Sequence, residues 1–595
     1  MVWQFAHNVP KKIRQALSKY NDFEAQLLFN RGITSNLKAD KYFNPKLEDP
    51  SSAMSLPGIQ SAGIKILESI AQGKKIFIYG DYDVDGICST SILFDFLYRK
   101  LKTDVIPYIP DRFEEGYGLN KIGLDHILSE KGQLVITVDC GIRDKVLVEE
   151  YSKKGLEFII TDHHSIPLDK KGKFDLPTHA KEIVHPQLGK YAFPQICATA
   201  VVWKLIQVLN ELISRNKSPN KLTKNISTWL TKLNPPKDLL EDNEYIDLVS
   251  LATICDIMPL EGENRNIVFE GIKSIKKNVL NRGLLKLLEI ARVDQNSFDS
   301  YHFGFILGPR LNAAGRMDHA LNGVRLFTSH NPEQINMLAL KLDSLNIKRQ
   351  VLTESMLKEG LIEAEKQVAA QKKLIFVSKE NWSEGIVGLV AGRLNEKYYL
   401  PVLAASSKNG IVRGSARSVV GFDITLAISE SGELLERFGG HSQAAGFTLQ
   451  EKNLAEFIKK IQSIAESKLT DEIILKALEI EAELKGQDIN VGFVESLDKF
   501  KPFGNGNKEP VFVIKNISIA QAPMLMGAKA QHIKFTAMTP DDVFFEVIAF
   551  NQAEKYSAII NLNKRYDIAG TFTINEWRGN KIIQLKLKDI LVVNE

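Results

Sequence analysis

Cysteine is scarce in this chain: Cys88, Cys140, Cys197 and Cys255 are the only four in 595 residues, and no two form a C-x-x-C pair. That excludes a disulfide-stapled scaffold and a zinc finger, and it suits a reducing cytosol. No run approaches the ~18 consecutive apolar residues of a membrane span. The opening MVWQFAHNVPKKIRQALSKY puts lysines and arginines where a secretion signal needs an apolar core, so a cytoplasmic location and no membrane partner are expected. An excess of one charge is also missing. With 76 basic and 72 acidic side chains the net charge is +4, too small to announce a polyanion partner, so any basic surface must be local. What remains is ordinary globular composition, 44% hydrophobic and 25% charged. At roughly 150 residues per domain the length suggests about four domains.

Along the chain, residues 1–50 read as a helical preamble ending in the turn-rich NPKLEDPSSAMSLPG. From 51 to 335 the pattern is α/β. The runs KKIFIYG (74–80), QLVITVD (133–139) and LEFIITD (156–162) are buried-strand candidates, with helices from Ser89 to Leu101 and near 144–153 between them. Short apolar runs alternating with helices predict a parallel sheet. Between Ile213 and Lys237, Arg215, Lys217, Lys221, Lys224, Lys232 and Lys237 occur with no acid, which reads better as a solvated loop than as a nucleic-acid contact. Residues 336–371, nearly free of glycine and proline, read as one connector helix. A second α/β segment spans 372–468, and the alternating runs of 469–595 predict a small β-barrel.

The densest chemical signal is GDYDVDG (80–86), which places Asp81, Asp83 and Asp85 in a turn between strand and helix. Three carboxylates this close repel one another unless cations neutralise them, and hard oxygen ligands suit Mg²⁺ or Mn²⁺. A calcium loop of the EF-hand kind is excluded, since a strand precedes and Ile92 stands where the twelfth-position Glu should be. Asp139 in VDCG and Asp162-His163-His164 in TDHHS follow two further strands, and Asp256 interrupts the apolar LATICDIMPL. In open α/β sheets the ligand site lies beyond the carboxyl ends of the strands. Imidazole beside carboxylate favours manganese over calcium.

These pieces resemble the DHH phosphoesterase superfamily, named for a motif that stands here as Asp162-His163-His164. The resemblance covers almost the whole chain and points to the RecJ-type single-strand-specific 5′→3′ exonucleases. It is carried by RGITS (31–35), IYGDYDVDGICSTS (78–91), PDRFEEGYGL (110–119), GPRLNAAGRMDHA (308–320), SLNIKRQ (344–350), GIVGLVAGRL (385–394), RGSARS (413–418), GGHSQAAGF (439–447) and PFGNGNKEPVF (502–512). It implies a DHH catalytic domain at 51–335, a DHH-associated substrate-binding domain at 372–468 and an OB-like nucleic-acid-binding domain at 469–595. It further implies that Asp81, Asp83, Asp85, Asp139, His163 and Asp256 hold two Mn²⁺ or Mg²⁺ ions, with Asp139 as the bridge. His164 would lie beside the metals, Asn312 and Arg316 at the scissile phosphate, and Arg112, Ser415 and Arg417 around the 5′-phosphate, with His441 also on the substrate side.

The implied activity is hydrolysis of single-stranded DNA from the 5′ end in repair and recombination, by a monomer working with a single-strand-binding protein and a helicase. The rivals are a phosphodiesterase for short oligoribonucleotides or cyclic dinucleotides and a non-catalytic single-strand-binding relative. The five basic residues between Arg393 and Arg417 predict a positive field on the second domain. Phe544, Phe545, Phe550, Phe572 and Trp577 are candidate base-stacking aromatics, of which strand alternation leaves about half available. Because every proposed ligand precedes Glu261, the C-terminal region is expected to bind rather than to support the metal site. Three residues depart from the family pattern: Ser383 where histidine is expected, His185 where asparagine is expected, and Ala198-Thr199-Ala200 in place of a glycine-containing turn.

Overall fold

The computed structural model describes residues 1–47, 50–214, 224–236, 239–241, 243–577 and 579–593. Its first half is built on a parallel sheet with spatial order Val105–Tyr108, Ile76–Tyr79, Leu134–Val138, Glu157–Thr161, Glu182–Val184. Ile76–Tyr79 and Leu134–Val138 are buried along their whole length, which is why they read as continuous apolar runs. Ile76 and Ile78 face one core, with helices Ile59–Ala71, Val84–Asp95 and Ala198–Ser214. Phe77 and Tyr79 face the other, with Leu124, Val148 and Tyr151. The two outer strands, VIPY and the three-residue EIV, carry no run long enough for the sequence reading to pick out. Counted along the chain the strand order is 2-1-3-4-5, so the winding reverses between Ile76–Tyr79 and Leu134–Val138. Such a reversal opens a crevice at the strands' carboxyl ends, and Asp81 and Asp139 sit on its two sides.

The connector is one 38-residue helix, Pro332–Ala369. It begins four residues before the predicted start, because Asn331 caps it, accepting from the Glu333 and Gln334 amides at 2.9 and 3.3 Å, and Pro332 fits the first turn. The helix leads to a mixed sheet ordered Arg437–His441, Ala444–Gln450, Ile411–Arg417, Val402–Lys408, Ile375–Glu380, in which only the last pair is parallel. At the C-terminus Phe512–Met526, His532–Met538, Phe544–Ala549, Asn580–Val592 and Arg565–Trp577 pair in turn, and the last closes onto the first. This is the closed barrel that the alternating runs predict.

The N-terminal helices Lys11–Ala16, Asp22–Asn30 and Asn36–Phe43 are too short to stand alone. Leu17, Leu27 and Leu28 share one core with Phe512, Ile568 and Leu585 of the barrel. Strand Val2–Phe5 pairs in parallel with Ala477–Ile480. The two ends of the chain are therefore one packed unit. Of the basic stretch, Arg215, Lys217, Lys221 and Lys237 lie outside the described residues, while Lys224 and Lys232 are exposed on helix Lys224–Leu233. Among the described residues no helix is long and apolar enough to cross a membrane.

Candidate active site

Four chain turns deliver the acidic cluster. After strand Ile76–Tyr79 come Asp81 and then Asp83, whose carboxylate caps helix Val84–Asp95 by accepting from the Gly86 amide at 3.0 Å. A Cβ on Gly86 would collide with the Asp81 backbone, so only glycine lets this loop fold back on itself. Asp139 ends the next strand in the left-handed region, φ 65°, which aspartate tolerates better than most residues. After the third strand Asp162 is a scaffold rather than a ligand. Its Oδ1 accepts from the His163 and His164 amides at 2.7 and 3.1 Å, and its Oδ2 from the Ile142 amide at 3.0 Å. Asp256 is the C-cap of helix Ile246–Cys255.

These side chains converge. His163 Nε2 lies 3.2 Å from Asp139 Oδ1, 3.5 Å from Asp256 Oδ2 and 3.7 Å from Asp85 Oδ2. Candidate ligand atoms fall in three groups, each within 4.8 Å: Asp81, Asp83 and Asp139; Asp85, His163 and Asp256; Asp139, His163 and His164. Asp139 belongs to two of them. Asp81 Oδ1, Asp139 Oδ1, His163 Nε2 and Asp256 Oδ2 are buried without any hydrogen-bond partner. Burial, and after it the charge of neighbouring acids, pushes Asp81, Asp83, Asp139 and Asp256 above the ordinary carboxylate range. Burial also lowers His163, so its Nε2 lone pair is free to ligate. Orphaned carboxylate oxygens around a neutral imidazole are a donor set that fits Mn²⁺ or Mg²⁺.

The surrounding residues hold these groups in place. The Asp85 carboxylate accepts from the amides of Ala198 (2.7 Å) and Thr199 (2.8 Å) and from the Thr199 hydroxyl (2.5 Å), all at the first turn of helix Ala198–Ser214. A carboxylate keeps lone pairs for a metal beyond these bonds, so the turn at 198–199 orients Asp85 through two backbone amides, to which Thr199 adds its hydroxyl. His164 Nδ1 lies 2.8 Å from Asp162 Oδ1, and the Tyr117 hydroxyl reaches the same ring at 3.2 Å. Burial alone would lower His164, but the hydrogen bond and charge of Asp162, then Asp256 and Asp83, raise it to about 9. His185 is fully buried; its Nδ1 accepts from the Gln187 amide at 3.1 Å, which leaves Nε2–H to donate to the His164 carbonyl at 2.9 Å. Sequence reasoning passed over Tyr117, Asp162, His185 and Thr199 as positioning groups. The departures at 185 and 198–200 were the available signal for two of them.

On the opposite wall, helix Gly308–Met317 presents Asn312 and Arg316 one turn apart on the same face. A Cβ on Gly315 would lie 2.7 Å from the Tyr82 carbonyl, so glycine lets this helix seat against the loop that carries Asp81 and Asp83. Arg316 donates to the Gly385 carbonyl at 2.9 Å, tying the first domain to the second. Arg112 lies over the Tyr82 ring, 4.7 Å from its centroid. Arg417 donates to the Ser415 hydroxyl at 3.0 Å and to the Ala416 carbonyl at 2.8 Å. Burial, then the charges of Arg112, Arg417 and Arg349, lowers Arg316 to about 9; burial, then Arg112, lowers Arg417. Half-buried guanidiniums whose charged neighbours are mainly one another suit an anion. His441 is exposed at the surface, and partial desolvation there, then the charges of Arg143 and His164, lowers its imidazole below the ordinary value.

Of the five basic residues from Arg393 to Arg417, Arg393, Lys397 and Arg413 lie beside Glu396, Glu365 and Glu384, which partly offsets the local positive field expected there. Phe545 and Phe572 are in the barrel core, while Phe544 and Phe550 are 58% and 47% exposed; the Trp577 side chain lies outside the described set. Nothing in the structure explains the Ser383 side chain.

Residues 75–231 match the DHH family, N-terminal domain, residues 370–467 the DHHA1 domain, and residues 480–589 the RecJ OB domain. The single-stranded-DNA-specific exonuclease RecJ of Bacillus subtilis is 33% identical over 574 residues, 96% of this chain and 68% of its own length. The crystal structure of RecJ in complex with Mn²⁺ from Thermus thermophilus superposes with a TM-score of 0.79 at 25% identity, over 100% of this chain and 80% of that one. Its counterpart in complex with Mg²⁺ gives 0.75 at the same identity, over 100% and 79%. With three matched domains in order and near-complete alignment at this identity, the chain belongs to the RecJ family of single-stranded-DNA-specific exonucleases.

Proposed function

We propose that the chain hydrolyses single-stranded DNA from its 5′ end, releasing 5′-mononucleotides, with Asp81, Asp83, Asp85, Asp139, His163 and Asp256 holding two Mn²⁺ or Mg²⁺ ions. The observation that carries this reading is the set of buried, unpartnered ligand atoms on Asp81, Asp139, His163 and Asp256. Ions bound there supply a water of lowered pKa and stabilise the leaving oxygen of an in-line displacement. Asp139 and His163 each fall in two of the three ligand groups, and of the two the family resemblance makes Asp139 the residue that would be shared by both ions. His164 holds a proton beside the reacting phosphate and orients it or the leaving oxygen, with Asp162 and Tyr117 fixing the ring. Asn312 and Arg316 grip the phosphate being cleaved. Arg112, Ser415 and Arg417 receive the terminal 5′-phosphate, and His441 lines the same side. Arg112 over Tyr82, which stands between Asp81 and Asp83, supports an end-phosphate site beside the metal ligands and so removal of nucleotides from that end.

Catalysis is assigned to 51–335, end recognition to 372–468 across the 336–371 connector, and strand binding to 469–595 together with 1–50. A monomer acting in the cytoplasm, beside a single-strand-binding protein and a helicase, completes the reading. The test is release of mononucleotides from 5′- and 3′-labelled single strands with Mn²⁺, Mg²⁺ and EDTA. Metal-dependent release from the 5′ label first is expected. Cleavage of cyclic dinucleotides with long strands spared, or binding without hydrolysis, would overturn it.

A further inference from the structure

We propose that Asn505, on the barrel's PFGNGN loop, is a positioning residue for the metal-facing carboxylate of Asp256. The inference rests on the metal-site reading above and deepens it. Helix Ile246–Cys255 ends at Asp256, and the chain leaves it through Ile257 at φ 56°. The Ile257 amide donates to the Ile254 carbonyl and the Met258 amide to the Thr253 carbonyl, both at 3.1 Å. This closure normally takes glycine or asparagine at the left-handed position. A β-branched side chain resists that backbone, and the Ile257 side chain is 69% exposed, so its own packing does not hold it there.

The barrel does. Asn505 Nδ2 donates to the Ile257 carbonyl at 2.7 Å, and the Leu260 amide donates to the Asn505 carbonyl at 2.7 Å. The approach is close on either side: a Cβ on Gly506, itself at φ 73°, would lie 3.1 Å from Pro259 Cβ, and one on Gly504 2.8 Å from Leu260 Cδ1. The loop is itself braced. Gly504 and Asn507 exchange backbone bonds of 2.9 and 3.2 Å, and the Asn507 side-chain amide donates to the Phe500 and Pro502 carbonyls at 2.8 Å each. Asn507 Oδ1 accepts from Arg31 Nε at 2.8 Å. A chain of contacts thus runs from Arg31 in RGITS through the PFGNGN loop to the residue after Asp256, which gives two motifs remote from the metals a role at the centre.

The test uses the full chain and Mn²⁺. Asn505→Ala and the isosteric Asn505→Asp, which cannot donate, are compared with the unsubstituted protein by Mn²⁺ titration followed by electron paramagnetic resonance. Melting temperature, and kcat and KM on a short oligonucleotide, are measured alongside. One of two Mn²⁺ ions is expected to bind about 10- to 100-fold more weakly in both variants, as for other groups that orient a ligand, with kcat lowered and KM retained. In an Ile257→Gly background the backbone needs no such hold, so Asn505→Ala should cost less than about threefold. Two ions bound with unaltered affinity in the variants would overturn the inference alone. An equal loss in the Ile257→Gly background would also overturn it, as the mark of a merely structural role. Failure of the unsubstituted chain to bind two ions would overturn the metal-site reading and this inference together.

Discussion

Asp139 illustrates how much one residue carries here. Its Oδ1 is buried and unpartnered, 3.2 Å from His163 Nε2, and its backbone is held left-handed at the strand end. Asp139→Ala should lower kcat by more than about 10³-fold, about 4 kcal/mol of barrier, while the circular dichroism spectrum and single-strand binding persist. Turnover within about tenfold of the parent would remove it from the metal site. The raised acids also set a pH dependence. In the metal-free protein Asp81, Asp139 and Asp256 retain protons that an unfolded chain would have released, so their contribution to stability is full below the ordinary carboxylate range and is lost as pH rises through the raised values. Metal binding needs their anions, so Mn²⁺ affinity should rise with pH and binding should expel protons. Calorimetry in two buffers of different ionisation enthalpy measures that release, and identical apparent heats would contradict it.

Among the elements, the first turn of helix Ala198–Ser214 is the one whose importance was hidden. Thr199 supplies an amide and a hydroxyl to Asp85. Thr199→Val keeps the volume but removes the hydroxyl, and Mn²⁺ affinity should fall about 10- to 100-fold; an unchanged titration would show that the helix amides suffice. The strand Ile411–Arg417 bears the other element-scale prediction. It places Ser415 and Arg417 at the cleft, where Arg417 feels Arg112 rather than a carboxylate. Arg417→Ala should reduce the preference for 5′-phosphorylated over 5′-hydroxyl substrates by about tenfold or more, as expected for loss of a charge-assisted contact of about 1.5–3 kcal/mol. Equal preference before and after the change, measured by competition between the two substrates, would dissociate this strand from end recognition.

At the scale of the whole molecule, the barrel does two things. Phe544 and Phe550 point outward from it, and replacing both with alanine should weaken binding of long single strands by about 1–3 kcal/mol per stacked base while cleavage of very short oligonucleotides persists. Filter binding of long and short substrates at two salt concentrations separates these effects, and equal losses on both lengths would refute the stacking role. Removing the barrel altogether is a different matter. The expectation that residues beyond Leu469 bind strands without supporting the metal site stands against the contacts the barrel makes with the catalytic domain. The 502–507 loop bonds to Ile257 and Leu260, and the N-terminal helices share the barrel's core. Truncation should therefore depress hydrolysis of short and long substrates alike.

The sequence by itself determined the fold class and, through the family resemblance, marked the acidic and histidine residues that the structure brings together. Buried parallel strands must be continuous apolar runs, a loop such as GDYDVDG has few physical uses, and Asp139, His163 and Asp256 each stand at the end of a recognisable element. The connector was legible as a single helix, while its start at Asn331 and Pro332, four residues before the expected 336, came from the structure. What only the tertiary structure decided is which distant segments share a cavity. The Ala198 and Thr199 amides reach back to Asp85 from more than a hundred residues away, His185 fixes the His164 carbonyl, and Asn505 holds the turn beside Asp256. Such groups carry no periodicity and no motif of their own. Their role comes from hydrogen bonds that are local in space and not in sequence, and those bonds exist only once the sheet, the helix and the barrel have packed.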